Sequence, residues 1–331
     1  MTELTCLKAF NDGLRQMMDA DDDIFVVGED VGRKGGVFGS FTGLIDEFGE
    51  RRMVDTPISE QAIVGLGIGA AVSGLRPVVD LMFMDFVLVA MDQLANQAAK
   101  LKYMFGGSAR LPVTITTNGG AGLSAAAQHS QSLEAMLCHV PGLKVVMPST
   151  PYDMKGLLVS CLRDDNPTVL VKNKRMFGVK GEVPSELYEV PIGEARIARQ
   201  GADVTVVAYS RMASESLAAA DELAAEGIDC EVIDLRSVQP IDIDTVVESA
   251  RRTNRIVVVH EAVRFAGLGA EIAAQVSEHA FDYLDAPVAR VAAPFAPVPF
   301  SPALEACYVP DASRIAAQIR ATLDRGQRPS G

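Results

Sequence analysis

Residues 55–74 read D-T-P-I-S-E-Q-A-I-V-G-L-G-I-G-A-A-V-S-G, and Pro77–Asp80 reads as a short strand directly after them. Thr56-Pro57 makes a turn, Ser59 stands where a helix N-cap belongs, and an almost wholly apolar, glycine-rich helix follows. Glu60 is the only charge between Asp55 and Arg76. At the mouth of so apolar a helix it is expected to be buried, and a buried carboxylate is kept neutral or given a chemical task. The plainer reading is an exposed first-turn Glu that complements the helix dipole. Gly65, Gly67 and Gly69 lie inside the helix, not in the strand-to-helix turn that a dinucleotide pyrophosphate needs. Small residues there let another backbone approach closely.

Outward from this helix–strand unit the same alternation recurs. A helix over Thr5–Met18 precedes a strand at Ile24–Gly28 and a glycine-rich loop, Gly32–Gly39. A long helix is predicted over Asp85–Phe105, stopped by Gly106-Gly107. Strands at Pro112–Thr117, Leu143–Met147 and Thr168–Lys172 alternate with helices near Ser132–His139 and over Tyr152–Arg163. From Met176 to Pro191 the pattern lapses into linker composition, then resumes. Strands at Val204–Tyr209, Cys230–Leu235, Ile256–His260 and Val288–Val291 alternate with helices at Met212–Glu226, Ile243–Arg252 and Ala270–Phe281. The expected fold is α/β with two domains, 1–178 and 193–331, joined by a linker at 179–192; each is a mostly parallel sheet flanked by helices.

Composition narrows the function classes. At 331 residues with 48% hydrophobic side chains, the chain can bury two cores. Residues 62–75 are too short and too glycine-rich to span a membrane, so no membrane role is expected. A formal net charge of −13 argues against nucleic acid. Five cysteines without C-x-x-C spacing, and an N-terminus without a basic start and apolar run, point to reduced thiols in the cytoplasm. The four histidines are too dispersed for a zinc site.

Ligands of open α/β sheets sit beyond the carboxyl ends of the strands. Gly28-Glu29-Asp30, Glu60, and the glycine loop leading to Gln128-His129-Ser130-Gln131 all fall there. No phosphate-binding G-x-x-x-x-G-K-[ST] loop and no G-x-S-x-G elbow occurs, which disfavours nucleotide and acyl hydrolysis. A solitary histidine is commonly structural; His129 also has the polar neighbours that fix a tautomer for proton transfer.

The motifs G-E-D-V-G, G-G-V-F, D-T-P-I-S-E, G-L-R-P-V-V-D-L-M-F-M-D-F, A-A-Q-H-S-Q, P-G-L-K-V-V-M-P-S-T-P-Y-D, R-D-D-N-P, D-L-R-S-V-Q-P-I-D and P-V-P-F occur in that order. Together they resemble the β subunit of the thiamine-diphosphate-dependent E1 component of 2-oxo acid and acetoin dehydrogenase complexes, over essentially the whole chain. Y-M-F-G-G and G-E-V-P-S-E-L-Y-E-V-P look most like the acetoin branch. Pyruvate and branched-chain members share most other motifs.

The resemblance implies a pyrimidine-binding domain followed by a transketolase C-terminal-type domain. It implies that Glu60 hydrogen-bonds N1′ of the cofactor's aminopyrimidine and favours the tautomer that takes the thiazolium C2 proton. Ile58 belongs to the same motif, Phe86 matches the aromatic beside the pyrimidine ring, and Glu29 matches an acidic residue behind the cofactor. His129 matches an active-site histidine that assists proton transfer to substrate or lipoyl group. A structural monovalent cation such as K+ falls, by the same resemblance, on Val113, Cys161, Leu162, Asp164 and Asn166. The family motif that binds diphosphate through Mg2+, G-D-G with a downstream N-N, is absent. The expectation is therefore an α subunit that holds Mg2+ and diphosphate in an α2β2 heterotetramer, with glycines 65, 67 and 69 in a subunit contact. The further partner is an E2 acyltransferase with lipoyl and subunit-binding domains, its docking favoured by the acidic balance.

Two stretches depart from the family pattern. K-N-K-R-M-F-G at 172–178 lacks the usual acidic residue, and Gly39-Ser40-Phe41 lacks charges often seen after G-G-V-F. The competing readings are a transketolase-like half acting on sugar phosphates, for which Arg33 and Lys34 supply little positive charge, and a non-catalytic scaffold subunit.

Overall fold

In the computed structural model, which describes residues 1–326, the first domain opens with strand β1 (Thr2–Thr5) and helix α1 (Cys6–Ala20). Strand β2 (Ile24–Gly28), helix α2 (Leu44–Phe48), strand β3 (Met53–Asp55), helix α3 (Glu60–Val72) and strand β4 (Arg76–Phe83) follow. Helix α4 (Ala99–Met104), strand β5 (Thr114–Gly119), helix α5 (Glu134–Cys138), strand β6 (Lys144–Val146), helix α6 (Pro151–Arg163) and strands β7 (Thr168–Asn173) and β8 (Lys180–Val183) complete it. The second domain runs through β9 (Arg196–Arg199), β10 (Val204–Ala208), α7 (Arg211–Ala224), β11 (Cys230–Asp234) and β12 (Ser237–Gln239). It continues with α8 (Ile243–Thr253), β13 (Ile256–Val263), α9 (Leu268–Ala280), β14 (Ala289–Ala293), α10 (Pro302–Tyr308) and α11 (Ala312–Gly326). The last five residues of the expected second domain lie outside the described residues.

The larger sheet has the order β12-β6-β7-β5-β4-β2-β3, parallel except for β12. The smaller has the order β14-β13-β10-β11-β9, parallel except for β9. Strands β5, β7, β10 and β11 are buried along their whole length, as expected of strands covered on both faces. Helix α6 starts firmly because Thr150 Oγ1 accepts the Asp153 N–H at 3.0 Å and Pro151 occupies the first helical position. Among the described residues no helix is long and apolar enough to cross a membrane.

The structure corrects several expectations. Asp85–Phe105 is not one helix: Met84–Leu88 is a 3-10 turn, Gln93–Ala98 a π-helical stretch, and only Ala99–Met104 is α-helical. The Asp85 carboxylate is drawn inward to the backbone and side-chain amides of Gln131, at 3.2 and 2.9 Å, which a straight helix would not permit. Residues 179–192 are not merely a linker, since β8 pairs antiparallel with β1. Strand β12 comes from the second half of the sequence but pairs with β6, at the edge of the first domain's sheet. Ser59 sits at the N-cap of α3, yet its side chain makes no capping hydrogen bond.

Candidate functional site

Parallel pairing brings the carboxyl ends of β2, β3, β4, β5 and β7 side by side. Gly28 stands opposite both Asp55 and Asp80, Phe83 opposite Asn118, and Gly119 opposite Asn173. Glu29 therefore emerges between the strand that feeds α3 and the end of β4. Burial raises its pKa, and the negative charges of Glu60, Asp30 and Asp80 add to the rise, while the Ser59 backbone opposes it. Glu60 thus lies near enough for its charge to act on Glu29. Glu60 is half-buried, not enclosed as expected, because the mouth of α3 is open in the single chain. Ile58 beside it is 82% exposed.

The glycine loop after Glu29 is ordered by its own backbone. Gly35, Gly36 and Phe41 donate to Gly32, Asp30 and Gly35 carbonyls at 2.8–2.9 Å. The Asp55 carboxylate accepts the Gly32 N–H at 2.7 Å, so closely that any side chain at 32 would collide with it. Arg33 and Lys34 are paired with Glu50 and Asp30 at 3.2 and 2.9 Å.

Behind the carboxylates lies a buried ion pair. Lys172 Nζ is 3.6 Å from Asp80 Oδ1, 3.3 Å from Ser40 Oγ and 4.2 Å above the Phe10 ring. Asp80 also accepts the Thr116 hydroxyl at 2.6 Å. Burial depresses the Lys172 pKa, and Asp80 opposes that fall. Both departures from the family pattern are thereby joined: Lys172 of the K-N-K-R run reaches Ser40 of Gly39-Ser40-Phe41.

The second half of the site is aromatic. The His129 ring makes edge contacts with Phe83 at 4.7 Å and Phe86 at 5.5 Å, and Phe83 in turn meets Phe38 and Phe86. Lys174 Nζ lies 5.1 Å over the Phe83 ring and donates to the His129 carbonyl. Phe86 and His129, 43 positions apart, are thus brought together, while Glu29, Glu60 and Ile58 gather at the neighbouring strand ends.

The residues named for a cation meet where α6 ends and β7 begins, but they are already occupied. The Asp164 carboxylate pairs with Lys144 and accepts Asn166 Nδ2 at 2.7 Å; Asn166 Oδ1 accepts Lys102 Nζ at 2.7 Å. Leu162 O and Asp164 O accept Arg76 at 2.8 and 3.0 Å, and Val113 O and Cys161 O accept the Thr168 and Asp164 N–H. Each of the five thus already meets a donor of the chain, and Arg76, Lys144 and Lys102 bring positive charge to the place. Among the described residues no group of three or more His, Cys, Asp or Glu side chains is placed to hold a metal.

The glycines of α3 divide. A Cβ on Gly67 would overlap Val79 Cγ2, so Gly67 seats the helix on its own sheet and is not a subunit contact. Gly69 faces open space beside exposed Leu66 and Val72. Residues that motif reading missed are Asp55, Phe83, Lys174 and Glu305. Glu261, in His260-Glu261 near the end of β13, could be placed from its sequence no more closely than at an interface, and nothing local marks Glu305.

Comparison with known proteins adds the family. The transketolase pyrimidine-binding domain matches residues 2–179 and the transketolase C-terminal domain residues 193–315. The acetoin:2,6-dichlorophenolindophenol oxidoreductase subunit beta of Cupriavidus necator is 48% identical, over 98% of this chain and 99% of its own. The pyruvate dehydrogenase E1 component subunit beta of Staphylococcus epidermidis is 46% identical, over 98% of this chain and 100% of its own. Among solved structures, a split-gene transketolase superposes with a TM-score of 0.82 at 24% identity, covering 98% and 99% of the two chains.

Proposed function

The chain belongs to the family of transketolase-like, thiamine-dependent dehydrogenase E1 β subunits, and on that premise we propose that it is the β half of an enzyme that cleaves acetoin. The reading rests above all on the Phe83–Phe86–His129 cluster, with Glu29 and Glu60 at the neighbouring strand ends. Thiamine diphosphate, when bound, would supply the carbon nucleophile of the reaction. Glu60 holds the proton at N1′ of the aminopyrimidine. Glu29, its pKa raised by burial and by the charges of Glu60, Asp30 and Asp80, stays protonated more readily than a free carboxyl. Phe86 would line the pyrimidine site, as would Ile58 once a partner covers its exposed side chain. His129, held edge-on by the two phenylalanines, moves a proton at the substrate oxygen.

Mg2+ and the diphosphate fall to an α subunit in an α2β2 assembly, since this chain lacks the G-D-G and N-N elements. The exposed mouth of α3 supports that division, because a partner is needed to close it. The acyl-level product passes to the lipoyl group of an E2 acyltransferase, whose subunit-binding domain docks on the C-terminal domain. A K+ ion would have to take the remaining lone pairs of the Val113, Cys161 and Leu162 carbonyls, beside the positive charges of Arg76 and Lys144. Five unpaired cysteines suit a reducing cytoplasm.

Pyruvate is the second substrate reading, supported by a relative only two percentage points less identical (48 against 46). Sugar phosphates are disfavoured because Arg33 and Lys34 are already paired. The test is to co-purify the chain with a candidate α subunit and assay acetoin, pyruvate and branched-chain 2-oxo acids with thiamine diphosphate. Acetoin should give the largest kcat/KM, and the chain alone should be inactive. Glu60→Gln should bind cofactor yet lose at least ~100-fold in kcat, the scale of general acid–base catalysis. Normal turnover by that variant would sink the mechanism.

A further inference from the structure

The loop that carries His129 leaves β5 at Gly120 and holds an unfavourable shape. Gly120 and Gly122 lie at φ of +87° and +98°, and the non-glycine residues Ser124 and Ala126 at +53° and +61°. Side chains persist in the left-handed region only where the surroundings over-determine it. Here the surroundings are two jaws. From the second domain, Glu261 at the end of β13 accepts the Ala121 N–H at 2.6 Å on one oxygen and Asn173 Nδ2 at 2.7 Å on the other. Glu305 on α10 accepts the Gly122 N–H at 2.7 Å and the Ser124 N–H at 2.9 Å, one on each oxygen. From the first domain, Arg175 Nη1 donates to the Gly122 carbonyl at 2.8 Å and Lys174 Nζ to the His129 carbonyl.

Both glutamates are buried in the seam between the domains. A buried carboxylate that accepts two hydrogen bonds is a stiff bracket, because losing either bond leaves an oxygen without water to replace it. Lys174 also brings a positive charge towards three carboxyl groups, Asp85, Glu261 and Glu305. We infer that Glu261 and Glu305 are positioning residues for His129: with Lys174 and Arg175 they impose the loop conformation that presents the imidazole to Phe83 and Phe86. This rests on His129 as the proton-transfer residue. It gives the second domain a part in the reaction and gives the K-N-K-R run a task. A shift of one domain against the other would move His129 relative to the ring of Phe86, which stays with the first domain's sheet.

The experiment uses the full chain. Amide hydrogen exchange at Ala121, Gly122 and Ser124, together with the histidine ring signals of 15N-labelled protein assigned with His129→Gln, reports the loop directly. Glu305→Gln keeps the shape but replaces one acceptor by a donor; Lys174→Met removes one of the two donors of the opposite jaw. Each should speed exchange at 122 and 124 about tenfold, equivalent to ~1.4 kcal/mol, and shift the His129 ring signals. Exchange in β4 and β10 should not change. Arg196→Met, which loosens the seam away from the loop, where Arg196 lies 3.8 Å from Asp153 of α6, should leave the loop as it was. In enzyme reconstituted with the α subunit, Glu305→Gln should lower kcat with little change in KM, and Lys174→Arg should restore most of what Lys174→Met loses.

Wild-type exchange and ring signals in Glu305→Gln, or equal changes in Arg196→Met, overturn the inference. If Glu305→Gln does not fold, Lys174→Met reads the same brace from the other side. If His129→Gln turns over normally while the loop responds as expected, the brace stands and the catalytic reading of His129 falls.

Discussion

Where α3 crosses β4, the helix backbone lies so close to the sheet that Gly67 has no room for a Cβ against Val79. Gly67→Ala should therefore destabilise the chain by about 1–3 kcal/mol, the usual cost of overpacking, and Val79→Ala should relieve part of it. Gly69, two residues on, meets nothing within 4 Å. Gly69→Ala should raise the stability of the isolated chain by up to about 1 kcal/mol through helix propensity. The same change should weaken assembly with the α subunit if that face is covered there. Urea unfolding of the lone chain and analytical ultracentrifugation of the mixture separate the two effects. The Asp80–Lys172 pair offers a harsher case. Lys172→Met strands a buried carboxylate and should cost about 3–5 kcal/mol, whereas Asp80→Asn with Lys172→Met should recover much of it, since both charges are gone.

At the scale of the element, α6 and α5 show two kinds of helix start. Thr150 caps α6 by accepting the Asp153 N–H while its hydroxyl donates to Asp153 Oδ2 at 2.6 Å. Thr150→Ala should cost about 0.5–2 kcal/mol in chemical unfolding. Helix α5 instead begins with Glu134, fully enclosed and accepting the Tyr209 hydroxyl at 2.9 Å. Burial pushes the Glu134 pKa up to about 7, against the backbone and the Tyr209 hydroxyl, with Glu261 adding to the rise. A carboxyl whose pKa is higher folded than unfolded binds its proton more tightly in the native state. Its contribution to stability therefore grows as pH falls from about 7 towards the unfolded value near 4.5, the reverse of ordinary acid loosening. Glu134→Gln should remove that gain, so the variant's unfolding midpoint falls more steeply than wild type between pH 7 and pH 5. Equal slopes would show that Glu134 does not titrate in this range.

For the molecule as a whole, the open face of α3 is the dominant feature. Ile58, Leu66, Val72 and Leu75 lie exposed on or beside it, with Leu88 and Val89 close in the chain after β4. So much apolar surface is costly in water and marks a contact surface. Leu66→Lys or Val72→Lys should leave the thermal unfolding of the lone chain almost unchanged but reduce co-purification with the α subunit. A marked drop in the lone chain's melting temperature would place these residues in an internal core instead. The two domains are tied by more than the chain that joins them. Strand β12 crosses into the first sheet, and Arg196 and Arg236 lie within 4 Å of the buried Asp153 of α6.

The sequence by itself determined the alternation of strands and helices, the two-domain α/β class and the family, and it named Glu29, Glu60, Phe86 and His129. Those follow from apolar runs, glycine turns and short motifs, each of which acts within a few residues of itself. It overstated one helix, since an i to i+5 stretch at Gln93–Ala98 leaves no mark in helical periodicity. It also expected Glu60 to be enclosed, because an apolar helix reads the same whether its cover is the chain's own or a partner's. Only the tertiary structure decided that β12 joins the first sheet, that β8 pairs with β1, and that Gly67 serves an internal contact. It alone brought Glu261 and Glu305 to the His129 loop, across 140 and 183 positions of sequence. Contacts at that separation depend on how two whole domains pack, and no local pattern of residues encodes them.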